Sequence, residues 1–129
     1  MEWKYVKNTT IDRILEVEKQ YNIKLPEDLK QCILSYNNGR PSYNIFDTQK
    51  TKNRTIKKLL SYNKEDKENI FTFVNIIREE NKNCFPIAID EFGNFICLQD
   101  NKIVLWLHET ASVEFIANSF NEFLELLHK

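Results

Sequence analysis

Histidine and cysteine are the side chains of this sequence best suited to metal or nucleophilic chemistry. His108 and Glu109 begin a His-Glu-x-x-His zinc pattern, but Ser112 stands where the second histidine belongs. His128 is the only other histidine, and no two cysteines have Cys-x-x-Cys spacing. We therefore predict that the protein has no metal site and no cofactor.

Cys97 and His108 are the second pair with a chemical interpretation, a thiol nucleophile and its base. Cys97 lies inside the apolar run 95–98, where we favour a small buried hydrophobe. The chain has only two glycines, too few for a dinucleotide-binding or phosphate-cradling loop. We predict that the protein is not an enzyme, with thiol chemistry as an alternative.

Nucleic-acid binding is suggested by a basic stretch at Lys50, Lys52, Arg54, Lys57 and Lys58. The stretch lacks the interleaved aromatic residues of a stacking platform, and the net charge is −1. Residues 1–63 contain 12 Lys/Arg and 7 Asp/Glu, whereas residues 64–129 contain 6 and 12. This asymmetry could steer a charged partner, but we favour the interpretation that it is ordinary solvated surface. From the basic stretch and the net charge we predict no direct nucleic-acid binding.

Two remaining groups are typical of protein recognition. Trp106 and His108 are two residues apart and share one face if a strand reaches His108. Asp90, Glu91 and Asn94 gather around an earlier turn. An aromatic ring near several acceptors can form a binding hot spot, but a core tryptophan beside a satisfied histidine fits equally well.

The elements that would position these residues begin with two helices. Thr9 or Thr10 can cap the first helix, which ends at Asn22 and has Ile11, Ile14, Leu15 and Tyr21 on its apolar side, interrupted by Glu18. The second helix starts at Pro26, buries residues such as Leu29 and Ile33, with Cys32 and Tyr36 as further candidates, and ends at residues 37–39. The patterns also predict helices over residues 69–80 and from Ser119 onward, with a capping box at Glu122.

Short β runs account for most of the remaining chain. The sequence predicts strands at residues 43–46, 85–89, 94–98 and 103–107, with a further strand or helix at 55–62 and a loop at 47–54. We predict an α+β fold, in which helices pack around a mixed, mostly antiparallel sheet, with two N-terminal helices and one C-terminal helix.

Size and composition predict one domain over residues 1–129. The N-terminus has no apolar signal-peptide core, and no apolar run reaches the length of a membrane span. Three widely spaced cysteines fit buried thiols in a reducing compartment. We therefore expect a cytoplasmic protein that does not contact membranes.

Several segments, in this order, resemble the SUKH superfamily of Smi/Knr-type proteins. The resemblance includes 21–29, 35–41, 45–47 and 60–63, and is most specific at Phe85–Asp90 and Gly93–Leu98. Residues 104–109 and 119–124 complete it, so it covers nearly the whole chain. There are two departures: Asn38 stands where relatives often have glycine, and Leu107 stands where they often have an acid.

The resemblance implies a binding module with helices around a mixed sheet. Its bacterial branch consists of immunity proteins that block a polymorphic toxin by direct binding, and such toxins include nucleases and deaminases. We expect a non-enzymatic immunity protein whose partner is the C-terminal toxin domain of a polymorphic toxin, as in contact-dependent inhibition. The expected contact residues are Asp90, Glu91, Asn94, Asp100, Trp106, His108 and Glu109.

The alternative function implied by the eukaryotic branch is a scaffold or regulator that binds several clients weakly. Affinity distinguishes the two, because an immunity protein should hold one partner at nanomolar strength and a scaffold several at about micromolar strength. We expect a monomer or weak homodimer.

Overall fold

The computed structural model describes residues 1–129 and contains four helices and nine short strands. The helices are α1 (Ile11–Tyr21), α2 (Glu27–Tyr36), α3 (Ile70–Glu80) and α4 (Phe120–Leu126). The strands are β1 (Trp3–Lys4), β2 (Arg40–Pro41), β3 (Ile45–Phe46), β4 (Arg54–Thr55), β5 (Lys58–Leu59), β6 (Phe85–Ile89), β7 (Phe95–Gln99), β8 (Lys102–Leu107) and β9 (Ser112–Ala117). The predicted α+β class is confirmed.

The main sheet has five strands in the order β5-β6-β7-β8-β9, each antiparallel to its neighbour. Two small antiparallel ribbons, β1-β2 and β3-β4, lie outside it. The one parallel pairing is an isolated bridge between Ser61 and Asn69. Because β6, β7 and β8 follow each other through short turns, residues 90–94 and 108–111 lie at the same end of the sheet, and residues 99–102 lie at the other.

Helix α1 begins where Thr10 accepts a hydrogen bond from the Arg13 amide, and it ends at the left-handed Asn22. Its buried residues are Ile14, Val17 and Tyr21. The prediction that Ile11 and Leu15 belong to the buried side is wrong, because they are 45% and 48% exposed.

Glu18 occupies the inward side of α1 because its carboxylate has two partners there. It accepts a hydrogen bond from the Leu25 amide at 2.7 Å and lies 3.2 Å from Lys30 Nζ. The acid that interrupts the apolar stripe therefore anchors the connection between α1 and α2.

Helix α2 follows Pro26 and buries Leu29, Cys32 and Ile33. Tyr36 is 40% exposed and stacks on Trp3, with ring centroids 5.1 Å apart. Gly39 then fits a tight space, since a Cβ there would come within 2.6 Å of the Tyr36 carbonyl oxygen. Glycine is thus required by close approach rather than by a left-handed backbone.

The strands differ from the sequence prediction in two places. The segment 55–62 is divided between β4 and β5, because β4 pairs back to β3 whereas β5 joins the main sheet. The sequence patterns do not predict strand β9, since Glu114 lies in its middle and it begins directly after His-Glu-Thr-Ala. Its pairing with β8 is a tertiary contact that overrides weak local preference.

One buried apolar cluster of 33 residues extends from Ile14 to Leu127 and draws on all four helices and the main sheet. Helix α3 packs on β6, and α4 packs on β8, β9 and α2. Ser119 caps α4 by accepting a hydrogen bond from the Glu122 amide, as predicted. None of the four helices has the length and apolar content that a membrane crossing needs.

Candidate protein-binding site

The turn between β6 and β7 is held by the buried carboxylate of Asp90. Its Oδ1 accepts hydrogen bonds from the amides of Phe92 and Asn94, both at 2.8 Å. Its Oδ2 accepts a third from the Asn94 side-chain amide, also at 2.8 Å. Every donor lies in the turn itself, so this aspartate determines the turn's shape.

Asn94 extends this network to the end of β8. Its Nδ2 donates to Asp90, so its Oδ1 faces His108, where it accepts from the backbone amide at 3.2 Å and lies 2.9 Å from Nδ1. An oxygen acceptor at this position requires a proton on Nδ1 of His108. In the neutral ring, Nε2 is then left as a hydrogen-bond acceptor.

Gly93 allows the left-handed backbone conformation of the turn beside His108. Its φ of +86° is a conformation that L-residues rarely adopt, and a Cβ would come within 3.5 Å of the His108 ring. The turn and the β8 end therefore form one rigid unit of five residues: Asp90, Phe92, Gly93, Asn94 and His108.

The exposed part of this unit borders a shallow cavity of about 480 Å³. Phe92 is its most prominent apolar side chain, at 69% exposure. The lining residues are Arg54, Phe92, Asn94, Leu107, His108, Glu109 and Thr110. We call Phe92 with exposed Glu91, His108 and Glu109 the tip surface. It combines the aromatic ring of Phe92 with the negative charges of Glu91 and Glu109, and the positively charged Arg54 lines the same cavity.

Five of the seven residues expected at the contact site lie at this end of the sheet. Glu91, His108 and Glu109 are exposed, whereas Asp90 and Asn94 are each 6% exposed and support the turn from below.

The other two expected residues lie apart from the tip surface. Trp106 is 5% exposed and packs beside Phe95, with ring centroids 6.2 Å apart, so it is a core tryptophan. Asp100 is in the β7–β8 turn at the opposite end of the sheet.

Phe92 was not among the residues selected from the sequence. The available signal was an aromatic residue within Asp-Glu-Phe-Gly, since turns at the surface normally consist of polar residues and glycine.

Loop 47–54 is attached to the edge strand β9 by side-chain and backbone hydrogen bonds. Glu114 of β9 accepts hydrogen bonds from the hydroxyls of Thr48 at 2.7 Å and Thr51 at 2.6 Å. The Gln49 amide donates to the Phe115 carbonyl at 2.9 Å. Arg54 is the last residue of this segment and the first residue of β4. The attachment of the segment to β9 places the Arg54 side chain at the cavity beside Phe92.

The thiol of Cys97 is fully buried, as predicted. Burial raises its pKa well above the ordinary value, which disfavours the thiolate needed for nucleophilic attack. Cys32 and Cys84 are also buried and free.

Comparison with known proteins identifies the family of this chain. No curated protein sequence matches the chain. A crystal structure of a protein from Pseudomonas syringae pv. tomato is similar in fold, with a TM-score of 0.55, 14% identity, and coverage of 79% of this chain and 70% of that chain. The sequence profile of the SMI1 / KNR4 family (SUKH-1) matches residues 8–126. The chain therefore belongs to the SMI1 / KNR4 family (SUKH-1).

Proposed function

We propose that the protein is a non-enzymatic immunity protein of the cytoplasm that binds and neutralises the toxin domain of a cognate polymorphic toxin. Membership of the SUKH-1 family supports a protein-binding role. The observation that carries the proposal is Phe92, an exposed aromatic side chain on a turn held by buried hydrogen bonds.

Rigidity is what makes this turn suited to tight binding. The hydrogen bonds of Asp90 and Asn94 order the turn before any partner arrives, so little conformational entropy is lost when Phe92 is buried. Preordered aromatic residues with a polar rim are typical hot spots. Glu91 and Glu109 supply negative charge at the rim, which suits a basic partner surface such as that of a nuclease.

The first experiment is a pull-down of the tagged protein from its native organism, with the bound proteins identified by mass spectrometry. We expect one stoichiometric partner that carries a C-terminal toxin module, held with a nanomolar dissociation constant. Weak binding of several housekeeping proteins would instead favour a scaffold.

The tip surface is tested next, with the purified partner. Phe92→Ala should weaken binding by at least about tenfold. The double variant Glu91→Lys with Glu109→Lys should also weaken binding, and its effect should be larger at low salt than at high salt. The matched controls are Ile76→Ala, another exposed apolar residue, and Glu79→Lys with Glu80→Lys, two exposed acids at the end of α3. If the control variants weaken binding as much as the tip-surface variants do, the interface does not lie at the tip surface. Asp90 is unsuitable for this test, because its replacement would alter the turn itself.

A further inference from the structure

A second cavity, distinct from the tip surface, lies where the β1-β2 ribbon meets β5. Its volume is about 310 Å³, and it is lined by Tyr5, Asn38, Arg40, Lys58, Lys67 and Glu68. The Leu59 amide donates to the Gly39 carbonyl at 3.0 Å, which joins β5 to the ribbon. The cavity is therefore formed by regular elements rather than by a loose loop.

Lys58 is a buried cation at this cavity, with a side chain only 7% exposed. Its Nζ donates to the Asn38 side-chain oxygen and to the Lys67 carbonyl at 3.3 Å. An ammonium group has three protons, and no further acceptor lies within hydrogen-bonding distance. Burial lowers the pKa of Lys58, and the nearby Glu68 carboxylate offsets this effect in part.

The only carboxylate lining the cavity is already engaged. Glu68 lies 3.0 and 3.2 Å from Lys57 Nζ through its two oxygens, but 3.8 Å from Lys58 Nζ. Three cations, Arg40, Lys58 and Lys67, line the cavity beside this one anion, an excess of two positive charges. The next carboxylate, Asp66, accepts hydrogen bonds from Ser61 and Asn63.

The rim of the cavity has an unusual backbone conformation. Tyr5 has a φ of +60° and is 68% exposed, a costly arrangement for an aromatic residue. The Asn38 amide stabilises it by donating to the Tyr5 carbonyl at 2.9 Å. The Arg40 guanidinium lies 5.6 Å from the centre of the Tyr5 ring. Its N–H donors therefore lie at the entrance of the cavity.

We propose that this cavity is an oxyanion site that takes a phosphoryl group. A doubly charged oxyanion offsets the excess positive charge better than a carboxylate does, and its several oxygens can accept from the Arg40 fork and the lysine ammonium groups together. The exposed Tyr5 ring offers a flat surface to whatever carries the phosphoryl group. The site shares no residue with the tip surface.

The test is a titration of the ¹⁵N-labelled protein with sodium phosphate at pH 7, with ionic strength held constant by sodium chloride. We expect saturable amide shifts at residues 38–40, 58 and 67–68, with a dissociation constant of roughly millimolar order. Arg40→Gln with Lys67→Gln should weaken binding at least tenfold, and both residues are exposed, so the fold should survive. Lys50→Gln with Lys52→Gln removes the same charge from another exposed segment and should leave binding unchanged.

Parallel titrations with adenosine monophosphate and O-phosphoserine compare two sources of the phosphoryl group. The ligand with the lower dissociation constant indicates whether a nucleotide or a phosphorylated side chain fits the site better. Shifts that chloride alone reproduces, or that persist in the Arg40 and Lys67 double variant, would overturn the oxyanion site. Because the titration needs no protein partner, its failure leaves the proposed toxin binding untouched, and the reverse also holds.

Discussion

At the residue scale, two adjacent carboxylates have different roles. The sequence presents Asp90 and Glu91 as one acidic pair on a turn. Asp90 is buried and accepts three hydrogen bonds, whereas Glu91 is exposed. Asp90 therefore belongs to the support of the tip surface, and Glu91 belongs to the surface itself.

Replacing Asp90 should cost far more stability than replacing its neighbour. Asp90→Ala leaves two backbone amides and the Asn94 side chain without their acceptor, so we expect the free energy of unfolding to fall by about 3 kcal/mol. Glu91→Ala, the matched control, should change it by less than about 0.5 kcal/mol. Urea denaturation of both variants measures the difference, and equal losses would contradict the assigned role of Asp90.

At the element scale, loop 47–54 covers part of the β9 edge. The sequence predicts only a polar excursion here, because its partner Glu114 lies more than 60 residues away. The threonine hydroxyls that reach Glu114 also accept hydrogen bonds within the loop, as Thr48 does from the amides of Lys50 and Thr51. The loop and β9 thus order each other, which protects an edge strand from pairing with other chains.

Glu114 should make this attachment sensitive to acid. Burial raises the pKa of Glu114, but hydrogen bonds from Thr51 and Thr48, with the charges of Arg54 and Lys50, outweigh burial and bring it below the ordinary 4.5. The unfolded chain therefore takes up the proton first as pH falls. The stabilisation is complete above about pH 4.5 and disappears as pH falls through the lower pKa of the folded protein.

Glu114→Gln should therefore lower the free energy of unfolding most at pH 7 and progressively less below pH 4.5. Urea denaturation at pH 7, 5 and 3.5 measures this trend. Glu125→Gln, at an exposed position of α4, is the matched control and should show little effect at any pH. A constant difference between wild type and Glu114→Gln across these pH values would show that the carboxylate charge does not stabilise the loop.

At the scale of the whole molecule, the basic and acidic halves of the chain share one core. The buried cluster takes residues from both halves, from Ile14 in α1 to Leu127 after α4. Ion pairs also join the halves, as between Arg13 and Glu65 and between Lys57 and Glu68. One domain over residues 1–129 stays a prediction, which this shared core supports.

A single cooperative unit should unfold in one step. We expect the urea transitions measured by far-ultraviolet circular dichroism and by tryptophan fluorescence to coincide. Trp3→Phe leaves only the buried Trp106 as the fluorescent reporter and should give the same coincidence. Separate midpoints for helix content and Trp106 emission would contradict the single-domain prediction.

The helices and the β6–β8 strands could be predicted from the sequence, because caps, turn residues and apolar periodicity are local signals. Helix α1 is capped by Thr10 and ends at Asn22, and α4 is capped by Ser119, as predicted. Local signals also located the turn at residues 90–93, which supplies Glu91 and Phe92 of the tip surface.

The burial of individual polar residues could not be predicted from the sequence and became visible in the folded chain. Glu18 and Glu114 look like surface acids in sequence, but each turns inward to donors outside its own helix or strand. Phe92 and Trp106 show the same limit, since one aromatic residue is exposed and the other is buried. Burial depends on contacts between residues far apart in the chain, and a single sequence does not specify those contacts locally.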